Sequence, residues 1–257
     1  MLTIHPIPAF KDNYIWVLHN RMHAVVVDPG LAFPVLEYLQ LKKLRLHAIL
    51  ITHHHGDHTG GNAELLKVFD VPVYGPSNEF IPHVTHPVNE GDQINLQEIS
   101  LRLTVLDTPG HTQGHIAYYG SNPKNMILCG DTLFSCGCGR VFEGSIEQMY
   151  HSIQKLAQLP DDTNIYCTHE YTLDNIRFAK MIDPDNKKLT EYEIYTKQLR
   201  QQNIPTLPTT LQLEKTINPF LRCNQSAIIR SVQNHTLSTL TDPVSIFSEL
   251  REWKNSF

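Results

Sequence analysis

The run Ala48-Ile49-Leu50-Ile51-Thr52-His53-His54-His55-Gly56-Asp57-His58 decides the reading of this chain. Its first four residues are apolar and partly β-branched, as in a buried strand, and a helix-like segment, Asn62 to Phe69, follows at once. Between the two lie His53, His55, Asp57 and His58, four potential metal ligands in six positions. In extended backbone alternate side chains share a side, so His53 and His55 are expected to point together and His54 away. Asp57 and His58 fall where the chain turns into the helix and can face the same space from another angle. A solvated or tag-like histidine cluster fits poorly, because the run is internal and follows a buried-looking strand.

Outward from this run, further short apolar stretches read as strands: Tyr14 to Leu18, Ala24 to Val27, Val71 to Tyr74, Leu101 to Leu106, Ile116 to Tyr119, Met126 to Leu128 and Ile165 to Cys167. Pro34 to Lys43 and Ile146 to Leu159 read as helices, the latter with apolar Ile146, Met149, Ile153, Leu156 and Leu159 near a 3.6-residue period. This is a mixed α/β pattern. From Val71 to Tyr119 there is no room for crossover helices, and Asn89-Glu90-Gly91-Asp92 signals a turn, so part of each sheet is expected to be antiparallel. Beyond Leu173 the texture becomes charged and helix-prone, with Leu173 to Ile182, Leu189 to Gln202, Ser226 to Gln233 and Pro243 to Lys254 as helices and Pro205, Pro208 and Pro219 between them. The expected organisation is a domain over residues 1–171 and a smaller helical one over 172–257.

Three more ligand-type residues occupy the same kind of place as the histidine run. His111 lies beyond Leu101 to Leu106 in Asp107-Thr108-Pro109-Gly110-His111; Asp131 follows Met126 to Leu128; His169 follows Ile165 to Cys167. Each sits past the C-terminal end of a strand, where open α/β sheets collect ligands. Seven donors exceed the four of one tetrahedral zinc, whereas two ions sharing a carboxylate use them all. Imidazole and carboxylate without thiolate suit zinc, iron or manganese, and softness alone does not choose among them. Two such ions about 3.5–4 Å apart lower the pKa of a shared water toward about 7 and polarise a carbonyl placed over it. The reaction class that follows is hydrolysis.

Composition narrows the rest. The chain has 257 residues, 41% hydrophobic and 18% charged, with 21 Lys+Arg against 26 Asp+Glu, which argues against disorder, coiled coil and nucleic-acid binding. No apolar run is long enough to span a bilayer, and the opening MLTIHPIPAFKDNY lacks a basic start followed by an apolar stretch. A cytoplasmic, membrane-free, monomeric protein is the expectation. Five scattered cysteines do not form a disulfide framework, and Cys136-Gly137-Cys138 has no second pair to make a zinc site with, so it reads as a loop near the substrate. Cys129 and Cys167 are expected to be buried, His83 and His86 exposed, and His115 to pack or to orient a ligand. No Gly-x-Ser-x-Gly elbow or Gly-x-Gly-x-x-Gly loop is present.

The pattern His53-x-His55-x-Asp57-His58 with His111, Asp131 and His169 resembles the metallo-β-lactamase superfamily, which implies an αββα sandwich (α+β) with a dinuclear site on one edge and a small C-terminal helical domain. More narrowly, Phe10-Lys11-Asp12-Asn13-Tyr14, Thr108-Pro109-Gly110-His111-Thr112, Cys138-Gly139-Arg140, Glu143-Gly144 and Thr168-His169-Glu170-Tyr171 resemble the glyoxalase II (hydroxyacylglutathione hydrolase) family, over almost the whole chain. The resemblance implies that His53, His55 and His111 hold one ion, Asp57, His58 and His169 the other, and that Asp131 bridges them. It implies a glutathione thioester substrate, above all S-D-lactoylglutathione, split to D-lactate and glutathione in the second step of methylglyoxal detoxification. Substrate contacts carry over to Arg140, Phe142, Tyr171, Arg251 and Lys254. Phe142 departs from the tyrosine usual at its place, and Gly56 from the bulkier residue common there. Arginine and lysine suit the glycine carboxylate of glutathione, although a solvated helix face is the plainer reading of Arg251 and Lys254. Catalytic roles fall to Asp131 and to Asp57, which can also accept a hydrogen bond from the nucleophile. Competing readings are another enzyme of this fold (lactamase, lactonase or nuclease), a mononuclear-iron persulfide dioxygenase, or a metal-binding regulatory module.

Overall fold

The computed structural model describes residues 2–257. The first sheet is built from β1 (Thr3–Ala9), β2 (Asn13–His19), β3 (His23–Val27), β4 (Arg45–Leu50), β5 (Val73–Pro76) and β6 (His86–Val88), in that spatial order, with helices α1 (Phe33–Lys42), α2 (Gly56–Thr59) and α3 (Asn62–Leu66) interleaved. Its β1–β3 ladders are antiparallel and its β3–β6 ladders parallel. The second sheet takes β7 (Gln93–Leu96), β8 (Leu101–Asp107), β9 (Ile116–Gly120), β10 (Met126–Gly130) and, beyond the short hairpin β11 (Leu133–Phe134) to β12 (Gly137–Cys138) and helix α4 (Ile146–Ala157), β13 (Asn164–Cys167). Only its β10–β13 ladder is parallel; β7 to β10 form an antiparallel meander, as the lack of crossover room requires.

Period-two alternation decides the layers. In the first sheet Trp16, Leu18, Val25, Val27, Ala48 and Leu50 join the core shared with the second sheet, while Ile15, Val17, Ala24, Val26, Ile49 and Ile51 pack with Val35 and Leu39 of α1 and Leu65 of α3. The second sheet's residues cluster with Met149, Ile153 and Leu156 of α4 and Ile246, Phe247 and Leu250 of the last helix. An αββα sandwich results. Strands hydrophobic on both faces bury both, at roughly 1.5–3 kcal/mol per fully buried aliphatic side chain. Helix α4 starts at a capping box, in which Ser145 accepts from the Gln148 amide and the Gln148 side chain accepts from the Ser145 amide.

From Thr172 on the chain is helical apart from one short strand: α5 (Thr172–Ile182), α6 (Lys187–Gln201), β14 (Thr209–Thr210), α7 (Leu211–Ile217), α8 (Ser226–Thr236) and α9 (Pro243–Ser256). Strand β14 adds to β13, and Phe178, Phe220 and Phe247 join the sandwich core. The sequence expectation did not include the short elements α2, β6, β7, β11, β12 and β14, and it differs at three further elements. Strand β1 was hidden by Pro6 and Pro8, which are tolerated because β1 is an edge strand paired on one side only. Strand β5 begins at Val73 rather than Val71, since Pro72 contributes only its carbonyl, to the Ile49 amide. Helix α7, capped by Thr210, lies within the proline-rich stretch between the expected helices. Among the described residues no helix is long and apolar enough to cross a membrane.

Candidate metal centre

Four strand ends deliver the donors to one rim of the sandwich. The turn after β4 carries His53, His55, Asp57 and His58; the ends of β8, β10 and β13 carry His111, Asp131 and His169. His53 Nε2 and His111 Nε2 each lie 3.1 Å from His55 Nδ1. His58 Nε2 and His169 Nε2 each lie 3.6 Å from Asp57 Oδ2. Asp131 stands between the two sets: its Oδ2 is 3.4 Å from His111 Nε2 and 3.3 Å from His169 Nε2, and its Oδ1 is 3.6 Å from His58 Nε2. With bonds of about 2.0–2.1 Å, the edge of a tetrahedral coordination sphere measures roughly 3.3–3.4 Å. The observed spacings scatter about that value. His58 Nε2 and Asp131 Oδ1 are buried without a hydrogen-bond partner, a cost of about 1–3 kcal/mol each unless something binds them. A cation between them removes that cost, so the donor set fits divalent metal.

Apart from His55, the inner donors are aimed by outer partners. His58 Nδ1 is 3.0 Å from Asp28 Oδ2, His169 Nδ1 2.9 Å from Asp12 Oδ1, His111 Nδ1 2.8 Å from the Arg140 carbonyl and His53 Nδ1 3.0 Å from Thr52 Oγ1. Asn13 Nδ2 donates to Asp57 Oδ2 at 2.9 Å. Carboxylates and carbonyls behind imidazoles fix ring orientation and raise ligand basicity. His115 belongs to this outer layer, its Nε2 accepting from the Asp131 amide at 3.1 Å. His54 points away as expected, with Nδ1 2.9 Å from Glu79 and Nε2 3.0 Å from Glu143.

At most positions the surroundings favour the deprotonated form that binds metal. Burial, with His58 and His115 alongside, pushes His53 well below its ordinary range, and burial beside His111 lowers His55. Burial likewise lowers His111. Burial alone would raise Asp131, but His169 and His58 hold it well below the usual carboxylate range. His58 and His169 go the other way: against burial, Asp131 and Asp28 raise His58 well above the usual imidazole value, and Asp131 raises His169. Metal uptake must therefore displace a proton there.

Above this floor opens a cleft of about 500 Å³ in which His55, Asp57, His111, Asp131 and His169 line the bottom and Arg140, Phe142, Tyr171, Arg251 and Lys254 the sides; His53 and His58 are fully buried beneath it. Tyr171 stacks flat on His169, at 4.6 Å and 3°. Phe142, 61% exposed, stands edge-on to His55 and His111. Arg251 is not the solvated helix residue that its sequence position suggests. It is buried, and its Nη1 donates to the Cys138 carbonyl at 2.9 Å. Lys254 is half-buried against Phe178 and Phe257, and burial together with Arg251 pushes its pKa down to about 8. The Cys136–Cys138 segment is the turn and second strand of the β11–β12 hairpin, with Cys138 on the cleft wall. Cys129 and Cys167 are buried, and His83 and His86 are exposed.

Sequence reasoning missed Asp12, Asn13, Asp28 and Glu79. Asp28 follows strand β3 in Val25-Val26-Val27-Asp28-Pro29-Gly30 and was accessible to the same strand-end rule that found Asp131.

Residues 10–169 match the family model described as metallo-beta-lactamase superfamily, and residues 170–257 the one described as hydroxyacylglutathione hydrolase C-terminus. The chain is 56% identical over 257 residues to a hydroxyacylglutathione hydrolase of Nitrosomonas europaea, covering 100% of this chain and 97% of the relative. It is 54% identical over 259 residues to one of Vibrio cholerae, covering both chains completely. Among solved structures, the BLEG-1 B3 metallo-beta-lactamase matches with a TM-score of 0.65 at 22% identity over 86% of this chain and 100% of that one. ETHE1 from Myxococcus xanthus matches with 0.64 at 23% over 97% and 99%. At such identities these structures speak to the fold alone.

Proposed function

The chain belongs to the hydroxyacylglutathione hydrolase family of the metallo-β-lactamase superfamily, and from that premise we propose how its cleft performs the hydrolysis. It is a metal-dependent thioester hydrolase that cleaves S-(2-hydroxyacyl)glutathione to a 2-hydroxy acid and glutathione. The observation that carries this reading is the pairing, in one cleft, of a metal-type donor floor with a cationic and aromatic side wall.

Two divalent ions, zinc foremost, are assigned to the floor: His53, His55 and His111 hold one, Asp57, His58 and His169 the other, and Asp131 touches both sets. When bound, such a pair supplies a hydroxide nucleophile near neutral pH and polarises the thioester carbonyl. The chain's own residues do the rest. Asp57, held by Asn13, keeps an ionised carboxylate at the cleft floor, where it can accept a hydrogen bond from the attacking water. Arg140 and Lys254 bind the glycine carboxylate of the glutathione arm, Tyr171 and Phe142 flank it, and Arg251 fixes the Cys138 wall and adds its charge. The thiolate leaves without needing a proton. Residues 1–171 act as the catalytic domain and 172–257 as the helical substrate-binding domain.

Metal analysis coupled to a thioester assay on S-D-lactoylglutathione tests the reading. Two ions per chain and chelator-sensitive release of free thiol are expected, and Asp131→Ala should lose both dinuclear loading and turnover. One iron with oxygen consumption, metal without thioester cleavage, or an Asp131→Ala protein that keeps two ions and a normal rate would sink it.

A further inference from the structure

Glu79 lies on the loop after β5, outside the donor set, yet it bonds the chain neighbours of three donors: His54, between His53 and His55, and Thr112, next to His111. Its Oε2 accepts from the His54 amide at 2.7 Å and lies 2.9 Å from His54 Nδ1. Its Oε1 accepts from the Gly114 amide at 3.0 Å and from the Thr112 hydroxyl. His54 sits between His53 and His55, and Thr112 follows His111. One carboxylate thus ties the turn after β4, in the first sheet, to the turn after β8, in the second. The side chain is only 4% exposed, while its neighbour Phe80 is 90% exposed, so the loop turns a phenylalanine outward with the carboxylate facing in. Gly114 completes the fit: a Cβ there would meet Glu79 Cγ at 2.6 Å. None of the hydrogen bonds or ion pairs of Glu79 reaches Asp57, His58 or His169.

We infer that Glu79 is the positioning residue of the His53/His55/His111 group alone, holding the two turns at the separation that lets one cation touch all three imidazoles. The inference rests on the dinuclear reading above. A glutamine at this position puts an amide NH2 where two donors now converge, whichever way it turns, and the two turns lose their common acceptor.

The test is zinc titration of wild-type protein and Glu79→Gln in parallel, with chelator competition for affinity and anomalous diffraction at limiting zinc for site occupancy. Affinity at the His53/His55/His111 group is expected to fall about 10- to 100-fold, with the other group unchanged. Saturating zinc should restore kcat, and KM for the thioester should not move. Equal weakening of both groups, or wild-type affinity at both, overturns the role of Glu79. A wild-type protein that takes up no zinc overturns the dinuclear reading itself. Should Glu79→Gln fail to fold, Gly114→Ala, which displaces the carboxylate without removing it, must give the same selective loss.

Discussion

At the scale of single residues, the centre consists of ordinary side chains made unusual by their neighbours. Lys254 is the clearest on the substrate side, since burial and the nearby Arg251 bring its titration to about 8, into the working range. The cation is present below that pH and lost above it. If it binds the glycine carboxylate, KM for the glutathione thioester rises above pH about 8, whereas a thioester lacking that carboxylate shows no such rise. Steady-state KM against pH for both substrates, repeated in Lys254→Met, decides the matter, because the variant should have a high KM that no longer depends on pH. The inner donors were legible in the sequence because five histidines and two aspartates follow strands or fill one turn. Asp12 and Glu79 were not, because a carboxylate on a loop looks the same whether it faces water or an imidazole, and only tertiary contact separates the two.

Among the elements, local signals and tertiary context divide the credit. Helix α4 was readable from its 3.6-residue apolar period, whereas the Ser145/Gln148 box that starts it emerged only with the structure. Strand β1 was not, since two prolines obscure a strand that only its edge position explains. What the α4 period did not reveal is that the helix also carries a ligand turn. Gly110, at φ +143, lies so close that a Cβ would sit 2.6 Å from Met149 Cα. Gly110→Ala is therefore expected to lower stability by about 1–3 kcal/mol and to weaken metal binding through the displaced His111. Denaturant unfolding together with zinc affinity checks this, and a variant with unaltered stability would show that the contact relaxes freely. The hairpin β11–β12 is similar: its two-residue strands were invisible in the sequence, yet Arg251 of α9 is fixed on its Cys138 carbonyl, which joins the C-terminal helices to the cleft wall.

For the molecule as a whole, the sequence indicated mixed α/β class and a rim site, because apolar runs and strand-end donors recur along the chain. It did not indicate that the C-terminal helices share the sandwich core, which depends on where Phe178, Phe220 and Phe247 come to rest. The donors are shared between the two sheets: His53, His55, Asp57 and His58 hang from the first, and His111, Asp131 and His169 from the second. Cations bound between them would act as a clasp across the open lip of the sandwich. Mechanical integrity and catalysis would then depend on the same atoms. At metal a thousandfold above its dissociation constant the clasp is worth about 4 kcal/mol, so stripping it should lower the unfolding temperature by on the order of 10 °C. Calorimetry before and after chelation measures that shift, and an unchanged midpoint would mean that the two halves are held shut without it.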